Sequence, residues 1–244
     1  MSSESGSQPA PGTLYLIPVP LGASPTVQVL PASVAATARG LVDFVVENAK
    51  SARAFLKSLP IERPLSEIGI QELSEHTRAV ELPALLAPLL AGRDVGLISE
   101  AGCPGVADPG AALVELAHRK GIRVVPLVGP SSLLLALMAS GLSGQQFAFH
   151  GYLPVKDEAR AQRLRELEKE SRQQQRTQIF IETPYRNRRL FDTLLAVCSP
   201  ATRLCLAVDL TLESEKVLTR PIGEWRRQPA PEIDRRPAVF LLQA

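Results

Sequence analysis

Short apolar runs that break into clusters of glycine, proline and serine recur through the first half of this chain. They restrict it to folds built on buried, mainly parallel strands. The most informative case is residues 95–110, VGLISEAGCPGVADPG. Its apolar start has the pattern of a strand covered on both faces, and it stops at Ser99-Glu100. The loop that follows carries Gly102, Pro104, Gly105, Pro109 and Gly110, which let backbone turn sharply and approach a ligand closely. Asp108-Pro109 then opens a helical pattern, with Asp108 as the N-cap and Pro109 at the first helical position. Open α/β sheets place ligands outside strand ends of this kind. The same residues also suit a tight βα connection that binds nothing.

The rest of the first half repeats the pattern. Residues 13–19 (TLYLIPV) read as a first strand that ends in the turn Pro20-Leu21-Gly22. Residues 41–46 read as a strand, and 31–39 and 47–59 as helices, the second stopped by Pro60. Residues 61–75 show no clear period, and 79–91 have helical spacing interrupted by Pro83 and Pro88. After the central loop, 111–120 is a helix and 123–128 a strand running into Gly129-Pro130-Ser131-Ser132. Ser131 or Ser132 would cap the apolar helix 133–140, whose first amides could instead hold an anionic group. Strands alternating with helices predict a parallel sheet with helices on both faces.

The composition changes near Gln145, and this divides the chain into a tail (1–12), an N-terminal α/β domain (13–145) and a C-terminal α/β domain (146–244). In the second domain, 146–153 is a strand and 156–175 a long helix of mixed charge, read as a solvated, self-paired face. Residues 177–181 form a strand that leads into ETPYRNRR. There Arg186, Arg188 and Arg189 follow Glu182 with no further acid, which suits contact with phosphate or RNA, or a helix start with exposed arginines. Residues 204–210, 216–219 and 238–242 read as hairpin-like strands, so a mixed sheet is expected, with a ligand cleft between the two domains.

Hydrophobic residues at 45% and charged residues at 21% are ordinary for a globular chain, and a net charge of +2 confines any nucleic-acid surface to local clusters. No apolar run is long enough to span a bilayer. Cys103, Cys198 and Cys205 form no disulfide framework, and His76, His118 and His150 are scattered. A reduced, cytoplasmic protein without metal or membrane attachment is expected.

LYLIPVPLG (14–22), SEAGCPGVADPG (99–110), VVPLVGPSSLLLALMASGL (124–142), FAFHGYLPVK (147–156), IFIETPYR (179–186) and the weaker LAVDLTLESE (206–215) stand in one order. Together they resemble the tetrapyrrole methylase superfamily of S-adenosylmethionine-dependent methyltransferases. They are most similar to the bacterial branch that methylates a ribose 2′-oxygen in small-subunit ribosomal RNA. The resemblance implies a homodimer of two-domain subunits, with S-adenosylmethionine in the cleft and ribosomal RNA or the small ribosomal subunit as partner. Carried over by motif, donor contacts fall at Pro20, Leu21, Glu100, Ala101, Gly102, Cys103, Ser131 and Ser132, and in the second domain at Ile181, Val208 and Ala238.

The branch typically carries an AEDTRHT-like segment after its second strand, where this chain has VENAKSAR (46–53). Glu47 matches, whereas Asn48, Ala49 and Lys50 replace an acid, a threonine and an arginine. Glu100 stands for the usual aspartate, and Leu212 for a lysine. Methyl transfer from a sulfonium chiefly needs alignment of nucleophile, methyl carbon and sulfur. A ribose hydroxyl also profits from a base or cation, and Glu47 and Lys50 are the residues nearest that role, neither assigned as catalytic. Two alternatives stay open beside RNA methylation: a donor-binding paralogue without it, and a small-molecule methylase of the tetrapyrrole type.

Overall fold

The computed structural model describes residues 10–61 and 63–244. Residues 1–9 of the expected tail lie outside the described residues. The chain divides into two compact α/β units, the first ending at Pro130 and the second starting at Ser131.

The first unit holds strands β1 (Thr13–Ile17), β2 (Asp43–Val46), β3 (Gly69–Glu72), β4 (Val95–Ile98) and β5 (Arg123–Pro126), all parallel, in the order β3-β2-β4-β1-β5. β4 is central, with all four residues buried, as its uninterrupted apolar run requires. Helices α1 (Thr26–Val29), α2 (Ala32–Gly40) and α3 (Ala49–Ser58) lie between β1 and β2 or between β2 and β3, and α4 (Leu82–Leu85), α5 (Ala87–Leu90) and α6 (Gly110–Arg119) come later. Side chains alternate across the sheet: Ile17, Phe44, Val46 and Ile98 join one apolar cluster with α2 and α3. Leu14, Val45, Val95 and Leu97 join another with α4, α5 and α6. β3 is the edge strand that the sequence pattern misses, because its four residues are at most half-buried and carry no apolar run. Pro83 and Pro88 break 79–91 into two single turns, as proline at each first turn dictates.

The second unit contains α7 (Ser132–Ser140), β6 (Phe147–Tyr152), α8 (Asp157–Gln174), β7 (Thr177–Ile181), α9 (Asn187–Val197), β8 (Arg203–Val208), β9 (Lys216–Pro221), α10 (Ile222–Trp225) and β10 (Ala238–Gln243). The sheet order is β6-β7-β10-β8-β9, with β6 and β7 parallel and the remaining pairs antiparallel. The composition change near Gln145 coincides with the start of β6, whereas α7 already packs with this sheet, Thr219 Oγ1 donating to Ser140 O at 2.7 Å. Phe180 and Phe240, paired across β7 and β10, stack with ring centroids 6.0 Å apart. Trp225 meets Phe191 edge-on and donates Nε1–H to Leu204 O at 3.0 Å. Helix α8 is solvated and self-paired along only one side, where Arg163 bridges Glu166 and Glu170. Its other side buries Leu164 and Leu167 together with Arg160 and Glu168. Arg160 donates to Val155 O and Thr193 Oγ1 and pairs with Asp157, and Glu168 accepts from Ser199 N and Thr202 Oγ1, so neither buried charge is left bare.

Among the described residues no helix is long and apolar enough to cross a membrane, and no cluster of His, Cys, Asp and Glu could hold a metal.

Gly96 sits mid-strand on the face that Ile17 and Phe44 cover, and a Cβ there would lie 2.7 Å from both side chains. Gly96→Ala is expected to destabilise the first unit by about 1–3 kcal/mol through overpacking, read as a lower urea midpoint at unchanged m-value.

Candidate functional site

In the first sheet β1 connects onward to β2, while β4 connects in the opposite direction to β5. Their adjacent C-terminal ends are therefore a topological switch point. Two loops meet there. Val19 N donates to Gly102 O at 2.9 Å and Gly102 N donates to Val19 O at 3.2 Å, an isolated antiparallel bridge. Gly102 has φ +70, which favours glycine, and a Cβ would lie 3.1 Å from the end of the Leu21 side chain, which would have to give by a few tenths of an ångström. The bridge brings Pro20 and Leu21 beside Glu100, Ala101, Gly102 and Cys103, six of the residues named from the sequence. Cys103 Sγ donates to Pro130 O at 3.4 Å, and burial raises its thiol pKa above the usual range.

Asp108 accepts from Gly105 N and from Gly110 N at 2.7 Å. It thus ties the loop to the start of α6 and performs the expected capping, although Pro109 occupies the cap position itself. β2 contributes Glu47, whose backbone N donates to Ile98 O at 3.0 Å and whose Oε2 accepts from Glu100 N at 3.0 Å. Desolvation raises the Glu47 carboxyl above the ordinary glutamate value, the Glu100 amide opposes this, and Asp108, Glu100 and Glu75 add to it. It is the one carboxyl with a raised pKa resolved among the described residues. Asn48 caps α3 by accepting from Lys50 N and Ser51 N, and Glu72 Oε1 accepts from Ala49 N. The asparagine that departs from the branch pattern is thus a well-formed helix cap.

Beside these loops the first unit carries an open cavity of about 550 Å³. Val19, Pro20 and Glu100 line one end, and Ser51, Phe55 and Ser58 of α3 line the other. The spacing 51, 54, 55, 58 marks one helix face, a signal present in the sequence but overshadowed by the small-residue loops.

In the second unit Val208 pairs with Ala238, and Ile181 pairs with Val239, so Ile181, Ala238 and Val208 stand side by side at one edge of β7, β10 and β8. Strand register brings together positions far apart in the chain. Ser131 occupies the cap position of α7 but makes no side-chain cap hydrogen bond, and Ser132 begins the helix. The loop after β8 is strained, with Asp209 at φ +50 and the β-branched Thr211 at φ +72. Arg236 Nε and Ser214 Oγ hold Asp209 Oδ2 at 2.8 and 2.7 Å.

The three arginines of ETPYRNRR are all ion-paired. Arg186 donates Nε and NH2 to Glu182 Oε1 at 2.9 and 2.6 Å, Arg188 reaches Asp234, and Arg189 pairs with Asp157. Glu182 lies one helical turn before Arg186, whereas Asp234 and Asp157 come from distant segments, invisible to local reading. Asn187, fully buried, donates to Ile233 O and Arg236 O and so fixes the chain leading into Ala238.

Residues 13–225 match the family described as tetrapyrrole (corrin/porphyrin) methylases. The chain is 33% identical over 236 residues to ribosomal RNA small subunit methyltransferase I of Xylella fastidiosa (strain Temecula1), covering 95% of this chain and 81% of that protein. The protein of the same name from Escherichia coli O157:H7 is 32% identical over 227 residues, covering 92% and 74%. Among solved structures, the methyltransferase CobJ superimposes with TM-score 0.63 at 20% identity, covering 95% of this chain and 94% of that one. Cobalt precorrin-4 methyltransferase superimposes with TM-score 0.60 at 13% identity over the same shares. These two share the fold.

Glu47 is protonated more readily in the folded chain than in the unfolded one, so its stabilising contribution is full below the unfolded value and disappears as pH rises through the raised one. Glu47→Gln keeps an acceptor for the Glu100 amide. It is expected to raise the melting temperature at neutral pH, the gain vanishing below about pH 4, as calorimetry at several pH values would read. Arg186→Ala leaves the wholly buried Glu182 side chain without its cation. A stability loss of about 3 kcal/mol is expected in chemical denaturation, against little change for the exposed pair broken by Arg189→Ala.

Proposed function

Because this chain belongs to the tetrapyrrole methylase family, a family of methyltransferases that use S-adenosylmethionine as methyl donor, we propose that it methylates the ribose 2′-hydroxyl of a nucleotide in small-subunit ribosomal RNA. The observation that carries this reading is the pair of loops locked by the Val19–Gly102 bridge, at the motif positions of the ribose-methylating branch. The donor fits them: the loop 99–105 offers backbone and small side chains for an adenosine and an amino-acid group, and its neighbours Glu47, Glu100 and Asp108 are acidic, which suits a sulfonium cation and not a phosphate. We assign donor contact to Pro20, Leu21, Glu100, Ala101, Gly102, Cys103, Ser131, Ser132, Ile181, Val208 and Ala238. The first amides of α7, unclaimed by a serine cap, suit the donor's carboxylate.

When bound, the donor supplies an electrophilic methyl carbon on sulfur. The protein's residues then have two tasks, to hold the ribose oxygen in line and to take its proton. Glu47, held by the Glu100 amide and raised in pKa by burial, is our candidate to accept that proton as the oxygen–carbon bond forms and the carbon–sulfur bond breaks, its electron pair leaving with the neutral thioether. The assembly we carry with this reading is a symmetric homodimer. A second reading, donor binding without catalysis, is favoured by one observation: Asn48 serves as a helix cap where the branch has an acid.

Calorimetric titration with S-adenosylmethionine is expected to give micromolar binding or better, about −8 kcal/mol, abolished in Glu100→Lys. Absence of binding by folded wild-type protein would remove the methyltransferase reading. Binding without methyl transfer to small subunits from a strain lacking this protein would leave the second reading in its place.

A further inference from the structure

The strongest unpaired charge on the first unit lies along α3. Its sequence, AKSARAFLKS, contains Lys50, Arg53 and Lys57 and no acid. All three are exposed, and among the described residues no ion pair engages them. At about 100° per residue these cations share one stripe. They point away from the core side, which holds Ala52, Phe55 and Leu56. The stripe borders the helix face on which Ser51, Ala54, Phe55 and Ser58 line the 550 Å³ cavity. Arg39 and Arg63 line a second, smaller cavity of about 330 Å³.

The main cavity is two-sided in chemistry. Phe55, Val27 and Ala54 give it apolar walls. Thr26 and Ser58, whose hydroxyls lie 3.0 Å apart, and Ser51 add polar groups; Ser51 and Ser58 donate to Asn48 O and Phe55 O, which leaves their oxygens to accept from a ring N–H. Its far end reaches Pro20 and Glu100, so it opens toward the loops assigned to the donor. A cationic donor has no reason to settle beside three unpaired cations, whereas a nucleoside flanked by phosphates does.

We propose that this cavity holds the target ribonucleoside, extruded from a single strand of RNA, while Lys50, Arg53 and Lys57 hold the phosphates of that strand. The proposal rests on the RNA-methylation reading above. It moves the RNA-binding surface from the ETPYRNRR arginines, each already neutralised by a carboxylate, to α3. The nucleoside would then lie against Glu100, a lining residue whose backbone N donates to Glu47 Oε2 at 3.0 Å.

The test compares full-length wild-type protein, the triple variant Lys50→Glu/Arg53→Glu/Lys57→Glu, and Ala54→Trp, whose indole would fill the cavity from an exposed position. The readings are donor affinity by calorimetry, binding of a short unstructured oligoribonucleotide against salt, and methyl transfer to small ribosomal subunits. The triple variant is expected to lose RNA affinity, with the log–log salt slope shallower by about 2, as three lost phosphate contacts on a single strand imply. Ala54→Trp is expected to lower methyl transfer by about tenfold or more, the scale of one lost base contact, and both variants keep wild-type donor affinity. A triple variant with the wild-type salt slope overturns the α3 surface and leaves the methyltransferase reading standing. Loss of donor affinity in Ala54→Trp, with the fold intact by circular dichroism, makes the cavity part of the donor site and overturns the nucleoside assignment. Wild-type protein that takes up donor but shows no salt-dependent RNA binding overturns both.

Discussion

Two backbone hydrogen bonds between Val19 and Gly102 tie the loop after β1 to the loop after β4, and most of the candidate site is placed by them. Loops at the ends of neighbouring parallel strands have no obligatory partner, and each would otherwise leave its amides to solvent. The bridge satisfies them, and it needs a residue at position 102 that accepts φ +70 close against Leu21. Asp108 then ties the remainder of the β4 loop to α6, and Glu47 ties β2 to the same loop through the Glu100 amide. Three strand ends are held in one arrangement before any ligand arrives, which is the condition under which binding energy can be spent on orientation.

Charge is used in two different ways along the chain. In the second unit it is largely structural: Arg160, Glu168, Glu182 and Arg186 are drawn into or against the core and satisfied by specific partners. In the first unit the acids gather at the strand ends, while the cations of α3 stand free on the adjacent helix face. An acidic edge beside a basic helix is the physical basis of the proposal that the unit takes two ligands of opposite charge, a sulfonium donor and a polyanionic strand.

Much of this was legible in the sequence because its causes are local. A strand buried on both faces must be apolar throughout, and a loop that turns at positive φ must use glycine, so β4 and the loop after it could be read directly from 95–110. The motifs SEAGCPGVADPG and LYLIPVPLG carried the family, and with it the residues proposed to face the donor, for the same reason. Where local pattern was weak, so was the reading. The edge strand β3 has no apolar run, and α8 shows a charge pattern that hides the burial of Arg160 and Glu168.

What the sequence determined by itself was the α/β class, the order of the strands and helices that carry an apolar pattern, and the family to which the chain belongs, since each follows from residue type and short-range periodicity. What only the tertiary structure decided was which charges are free. Arg186, Arg188 and Arg189 look uncompensated in the chain, but folding brings Glu182, Asp234 and Asp157 onto them, the last two from more than thirty residues away. Arg53 and Lys57 look ordinary and Lys50 stands out only against the branch pattern, but folding sets all three on a helix bordering a cavity whose far wall comes from the loop after β1 and the end of β4. An ion pair depends on distance in space, and sequence separation carries almost no information about that distance until the strands are in register.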